Sequence, residues 1–312
     1  MVYICYDSSN GMPQNSAVSF DQDSDRFIYI ATQEGVVKFD GLNFEVFDRT
    51  NLKGLPSNLI RDIKAVQKDK IFVATSKGLV LYDRKAGIVN EFRNIGGVNH
   101  PDVISISYSS ARNKLFGISN GKSLFSYSDS EGFDFIGNSE YPEFKYMQKV
   151  LVTKSDDVFV AGRDGVYFID KTGGMTRVEE IDDSIQALAE NREGYVFAGG
   201  KNGVYRIRNR KYIASLSEET GSEIKDVTAL FTDSFNTLLI GMAGSGLYSY
   251  SGNSLKKINV NNTLNSEKIV SIYEDVENNL WIGTLSKGFC FAKQRRTEET
   301  FLRNELIMGI TE

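Results

Sequence analysis

The sequence predicts an all-β chain, a single seven-bladed β-propeller with four antiparallel strands in each blade. Three observations predict it. First, a motif of strand, polar turn, strand and closing glycine recurs along nearly all of the 312 residues. Its glycines stand at Gly35, Gly78, Gly121, Gly165, Gly203, Gly246 and Gly288, at intervals of 38 to 44 residues. Second, each copy has room for four short β runs, which is the arrangement of a propeller blade. Third, aromatics reach 12%, glycines number 28 and prolines only 4, a mixture suited to short strands and tight turns. A β-helix would repeat at roughly 20 residues, and paired sandwiches would show no fixed period.

The copies cover residues 18–35, 60–78, 104–121, 150–165, 185–203, 227–246 and 269–288, each followed by two further runs. In the first copy the four runs are 17–21, 27–31, 36–39 and 44–47. Gln22-Asp23-Ser24-Asp25-Arg26 joins the first pair and Asp40-Gly41-Leu42-Asn43 the last. Asp-Gly marks a hairpin because glycine accepts positive φ. The second run of successive copies ends on Ala31, Ala74, Gly117, Ala161, Ala198, Gly241 and Gly283. Small residues there fit blades that converge on an axis. The aromatics Phe39, Phe44, Tyr82, Phe92, Tyr167, Tyr205 and Tyr248 fall on the outer runs, where the wedge between blades widens and needs filling. The third copy is the most degenerate; 115–121 keeps only the outline.

A ring leaves open sheet edges unless its first and last blades are joined. The run at 2–7 precedes Asn10-Gly11-Met12-Pro13-Gln14-Asn15 as the run at 44–48 precedes Gly54-Leu55-Pro56-Ser57-Asn58. It is therefore expected to be the outer strand of the seventh blade, beside 288–293. Alignment of the repeats then sets Cys5 opposite Cys290, as Val46 is set opposite Val37. Two such cysteines can form a closing disulfide or a plain contact, or act as two buried small hydrophobes. A rival closure would use 299–302 as the outer strand. The domain division is 1–294 for the propeller and 295–312 for a tail, read as a linker or a truncated next element.

The formal net charge is −5, which argues against a protein that coats nucleic acid. One histidine in the chain weakens every histidine-based catalytic or metal reading. No apolar run approaches the ~18 residues of a membrane span, and no secretory signal is visible. Asp21-Gln22-Asp23-Ser24-Asp25 has the spacing of a calcium loop but lacks its sixth-position glycine and twelfth-position acid, since Thr32 stands there. It reads better as a hairpin turn. His100, with no Gly-x-Ser-x-Gly elbow in the chain, gives no catalytic triad. Carboxylate catalysis by some of the 41 acidic residues has no distinguishing spacing. No catalytic residue, metal ligand or cofactor is assigned. In propellers ligands meet the loops from strand four to strand one and from strand two to strand three. The second set supplies Lys77, Asn120, Arg163, Asp164, Lys201, Asn202 and Lys287 as ligand-binding candidates. Their mildly basic ring on an acidic protein would draw an anionic ligand, an acidic sugar or a peptide carboxylate. The plainer reading is a set of solvated loops.

Gly11-Met12-Pro13-Gln14-Asn15, Gly54-Leu55-Pro56-Ser57-Asn58, Leu280-Trp281-Ile282-Gly283-Thr284 and Gly35-Val36-Val37-Lys38-Phe39-Asp40-Gly41 together resemble the two-component regulator propeller repeat. The resemblance runs from residue 1 to about 294. It is close in copies one, two and seven, looser in four to six and poor in three. Trp281 is the one Trp; Ile30, Phe72, Phe159, Phe197 and Leu239 replace it elsewhere. The resemblance implies a non-catalytic, periplasmic or otherwise extracytoplasmic sensory module of a bacterial sensor kinase, hybrid sensor or diguanylate cyclase. Its partners would be an unknown small molecule, anionic or a glycan, and a second propeller or a second copy of the chain. Contact with a membrane would come only through flanking segments. Two alternatives stand beside it, a propeller lyase or glycan hydrolase using carboxylates at the channel mouth, and a cytosolic scaffold.

Overall fold

The order of hydrogen-bonded strands follows the repeat. The computed structural model describes residues 2–67, 69–136, 146–170, 173–260 and 267–293. After β1 (Val2–Tyr6), blade one holds β2 (Ser19–Gln22), β3 (Ile28–Thr32), β4 (Gly35–Phe39) and β5 (Phe44–Phe47), in that spatial order. Blade two holds β6 (Ile60–Gln67), β7 (Lys70–Thr75), β8 (Gly78–Asp83) and β9 (Gly87–Phe92). A small hairpin, β10 (Asn94–Ile95) and β11 (Val98–Asn99), leads to blade three: β12 (Val103–Ser109), β13 (Lys114–Ser119), β14 (Ser123–Ser128) and β15 (Gly132–Ile136). Blade four is β16 (Met147–Val152), β17 (Val158–Gly162), β18 (Gly165–Ile169) and β19 (Met175–Arg177). Blade five is β20 (Ile185–Glu190), β21 (Val196–Gly200), β22 (Val204–Arg208) and β23 (Lys211–Ser215), followed by one helical turn, α1 (Leu216–Thr220). Blade six is β24 (Val227–Thr232), β25 (Leu238–Met242), β26 (Gly246–Ser251) and β27 (Ser254–Ile258). The β10–β11 hairpin and α1 have no counterpart in the repeat.

Blade seven has β28 (Ile269–Glu274), β29 (Leu280–Thr284) and β30 (Phe289–Lys293), and its fourth strand is β1. The register runs from Val2 opposite Lys293 to Tyr6 opposite Phe289. Cys5 faces Cys290 in that register, their Cα atoms 4.0 Å apart, and a disulfide joins them. The equivalent pair in blade one is Val37 and Val46. The ring is thus closed by the N-terminal strand. The 295–312 tail and the rival strand at 299–302 lie outside the described residues.

Seven hydrophobic clusters hold the ring together, one in each wedge between neighbouring blades. The wedge between blades seven and one is the most aromatic. Tyr6, Phe20, Phe39, Phe44, Trp281 and Phe289 meet there at centroid separations of 4.6 to 6.3 Å. Edge-to-face and offset pairs of this kind add to area burial, and fully burying a Phe such as Phe289 stabilises by about 2–3 kcal/mol. Aromatics also occupy the second strands, at Phe72, Phe116, Phe159, Phe197 and Trp281, so the wedge is filled from further inside than the outer runs alone suggest. Close to the axis the small residues are needed. A Cβ on Gly283 would collide with the carbonyl oxygen of Ala17 in the next blade.

The first strand of every blade faces the axis. In blades two to seven that strand carries a β-bulge at its start, between Ile60 and Asp62, Val103 and Ser105, Met147 and Lys149, Ile185 and Ala187, Val227 and Ala229, and Ile269 and Ser271. Bulges tighten the local twist and re-aim the next side chain. In these blades they help to set a tier of side chains around the channel that includes Asp62, Ser107, Lys149 and Ser271, with Ser19 of blade one beside them.

Candidate functional site

Strand direction divides the ring into two faces. One face carries the turns from strand one to strand two. These are hairpin turns held by their first residue: Asp23, Asn191, Asp233 and Asp275 each accept two backbone N–H bonds across the turn. The 21–25 segment is therefore a turn whose carboxylate is already engaged. Asp275 also accepts from Trp281 Nε1 at 2.9 Å, which ties the lone Trp to its own blade's turn.

The opposite face carries the turns from strand two to strand three and the loops that bring the chain into each blade. The two sets are bonded together in all seven blades. Ser76 N donates to Leu59 O, Asn120 N to Asp102 O, Arg163 N to Tyr146 O, Lys201 N to Ser184 O, Ala243 N to Asp226 O and Leu285 N to Lys268 O. In blade one Gln33 N donates to Ser16 Oγ instead. In blades one, two and seven a threonine caps the turn: Thr32, Thr75 and Thr284 donate Oγ1 to the carbonyls of Gly35, Gly78 and Gly288. These are the copies that resemble the repeat most closely.

All seven candidate residues lie on this second face and all are exposed. Their treatment differs. Lys77, Lys201 and Lys287 stand on blades two, five and seven and make no ion pair among the described residues. Asn202 is committed to structure, its N and Nδ2 donating to the carboxylate of Asp183 at 2.8 and 3.1 Å. Asn120 is tied to Asp102 in the loop entering its own blade, and the Asp164 carbonyl accepts from Arg177 Nε within blade four, while Arg163 stands at the joint between blades three and four. Tyr146 spans that joint. It sits between the turns of the two blades, its carbonyl accepting from Arg163 N at 3.2 Å and the next amide, Met147 N, donating to Gly121 O at 2.8 Å. The residue is 52% exposed, with the Arg163 guanidinium 5.4 Å from the centroid of its ring. Sequence reasoning missed Tyr146. The signal was available in the aligned copies, where the corresponding residues are Leu59, Asp102, Ser184, Asp226 and Lys268.

Below the rim, the channel encloses about 290 Å³. One wall is polar and internally neutralised. Lys64 Nζ lies 2.7 Å from Asp21, and Lys149 Nζ lies 3.5 Å from Asp62. Burial works against the Lys64 ammonium, but Asp21 keeps its pKa above the ordinary lysine value. Asp62 also accepts from Ser19 Oγ at 2.7 Å and from Ile63 N and Ile106 N at 3.0 Å. Asp21 accepts from Ala65 N, and Ser271 Oγ donates to Ala17 O at 2.7 Å. These bonds cross from blade to blade, so the polar wall is a brace. The other wall is apolar, with Leu188, Leu230 and Ile272. The pKa values of Glu190 and Glu274 are raised, in each case by burial, yet each carboxylate accepts from the backbone of the preceding blade's turn, at Lys154 N and Ser234 N. They belong to blades five and seven and form no pair. His100 is exposed beside the β10–β11 hairpin, with φ 52°.

Residues 263–286 match the family model of the two component regulator propeller. The seventh blade carries a two-component regulator propeller repeat. No curated protein sequence matches the chain. Among solved structures, the extracellular domain of a putative hybrid two component system from B. thetaiotaomicron superposes with a TM-score of 0.79 at 17% identity, over 93% of this chain and 41% of that one. A second such domain from the same organism gives 0.72 at 17%, over 93% and 39%. Virginiamycin B lyase from Staphylococcus aureus, solved as a catalytically inactive His-to-Ala variant, gives 0.73 at 10%, over 93% and 97%. At these identities the likeness is one of fold. The chain spans about two fifths of the length of the hybrid-system domains.

Proposed function

We propose that this ring is the ligand- or protein-binding sensory propeller of a bacterial membrane signalling protein, working outside the cytoplasm and not itself catalytic. The observation that carries the reading is the two-component regulator propeller repeat in blade seven. Two features support it. The Cys5–Cys290 disulfide suits an oxidising compartment. The channel carboxylates Asp21 and Asp62 are spent on lysines and neighbouring backbone, so neither is free for lyase or hydrolase chemistry. The rim of the second face, where Lys77, Arg163, Lys201 and Lys287 are exposed, is the binding face. A lone rigid ring has no bistable element, so the signal passes through contact with a second propeller or a following segment.

The test combines compartment and binding. Thiol alkylation in intact cells is expected to leave Cys5 and Cys290 unlabelled until reductant is added. Thermal-shift screening of the purified chain against small anions, oligosaccharides and peptides is expected to find a ligand that is recovered unchanged. Thiols that label freely in cells, or a ligand consumed on incubation, would overturn the reading.

A further inference from the structure

We propose that Tyr146 and Arg163 form the ligand platform of this rim, and that it takes a small ring compound bearing a carboxylate. The proposal rests on the reading of the second face as the binding face.

Backbone geometry is the first ground. Tyr146 has φ 70°. A bulky residue seldom adopts that left-handed conformation, and holding it there costs free energy that the surroundings must supply. At the corresponding place in blade six, Asp226 has φ 49°, a conformation that aspartate tolerates. The two flanking turns make room for the unusual path. A Cβ on Gly162 would lie 2.7 Å from Tyr146 O and 3.1 Å from Met147 Cα, and one on Gly121 would lie 3.3 Å from Met147 O. The bonds to Arg163 N and Gly121 O then hold the strained residue. What the strain achieves is to present an aromatic face to solvent at the head of β16, a channel-lining strand, where a relaxed polar residue would serve the fold as well.

Chemistry is the second ground. Arg163 makes no ion pair among the described residues, whereas Arg61, Arg84, Arg112, Arg177, Arg206 and Arg210 each sit against a carboxylate. Its guanidinium lies over the Tyr146 ring, with a fork of donors left for a carboxylate from solution. The ring offers a stacking face for a flat or pyranose-like body. Sugar acids and aromatic acids share this chemistry.

The experiment titrates the purified chain by calorimetry with matched probes, glucuronate against glucose and 4-hydroxybenzoate against 4-hydroxybenzyl alcohol. One acid is expected to bind and its neutral partner to bind at least about tenfold more weakly. Arg163→Gln is expected to weaken the acid by about tenfold to a hundredfold, and Arg163→Lys is not expected to restore it. Tyr146→Gly should weaken binding while raising Tm by about 1–3 °C, because glycine relaxes the left-handed backbone. A residue placed only for stability would show the opposite sign. Lys256→Gln, on the exposed outer strand β27 away from the rim, is expected to leave the acid's affinity unchanged. If an acid binds but neither Tyr146→Gly nor Arg163→Gln weakens it, this platform is wrong while the binding face stands. If neither acid binds and Lys77→Gln abolishes binding of some other ligand from the screen, the ligand class and the place both fail. If nothing binds the face at all, the sensory reading falls with it.

Discussion

Replacing Cys5 and Cys290 with serine removes a cross-link between strands that are neighbours in space and 285 residues apart in sequence. A bond over so long a loop restricts the unfolded chain far more than the folded one. The loop-closure relation gives about 19 cal/mol/K of entropy withheld from the unfolded state, or about 5–6 kcal/mol at 25 °C. For 312 residues the unfolding entropy is about 0.65 kcal/mol/K, so a kcal/mol moves Tm by roughly 1.5 °C and the double serine variant should melt about 8–9 °C lower. Calorimetry of the oxidised chain, the reduced chain and the variant measures this directly. Reduced chain and variant should agree with each other. Hydrogen exchange across Val2–Tyr6 gives a second readout: the β1 amides should exchange faster once the bond is gone, while β3 and β7, in blades that close without it, should not. A Tm change below about 2 °C, with β1 still protected, would show that the β1–β30 ladder and the aromatic wedge around Phe289 close the ring alone, and the argument would fail.

Other perturbations follow from the channel and the turns. Asp62→Ala strips Lys149 of its partner and leaves Ile106 N and Ser19 Oγ unmatched; a loss of about 3 kcal/mol is expected by urea denaturation, at the lower end for a broken pair because Lys149 is part-exposed. A stability equal to that of the parent would mean that the channel brace contributes nothing. Glu274→Gln keeps an acceptor for Ser234 N, as Gln22 does for Val276 N in the next blade. Burial raises the pKa of Glu274 above 4.5, so the folded state favours the protonated form and the parent loses stability as pH climbs through that raised value. The Tm of the variant relative to the parent should therefore be flat below pH ~4 and rise above ~4.5; a constant difference from pH 4 to 8 would count against this. Gly283→Ala should lower stability by about 1–3 kcal/mol, because its methyl meets the Ala17 carbonyl across the closing joint; unchanged unfolding would refute the crowding argument.

Much of the architecture was legible because it repeats. Seven glycines at near-constant spacing, small residues from Ala31 to Gly283, and a strand at 2–6 lacking a blade of its own are features of order along the chain, and order is what a sequence displays. The opposition of Cys5 and Cys290 needed only the Val37–Val46 register copied forward. The channel was less legible. Asp62 and Lys149 belong to blades that are not adjacent; their spacing equals that of Gly78 and Gly165, so the repeat marks them as equivalent places, but it does not announce that a bulge in each strand turns both side chains toward one another. Tyr146 was hidden for another reason. Its importance lies in a backbone angle and in the absence of side chains at Gly121 and Gly162, and a residue-by-residue reading of charge passes over both.

Because β1 and β30 run antiparallel with Val2 opposite Lys293, the chain enters and leaves the described ring side by side. Tension applied through flanking segments would act on this ladder as on a zip fastener, one rung after another, the weakest way to load a sheet. The bond between Cys5 and Cys290, four rungs in, acts as a rip-stop. A pull can part Val2, Tyr3 and Ile4 from their neighbours and go no further. The ring can then transmit a mechanical load to its surroundings without being torn open by it.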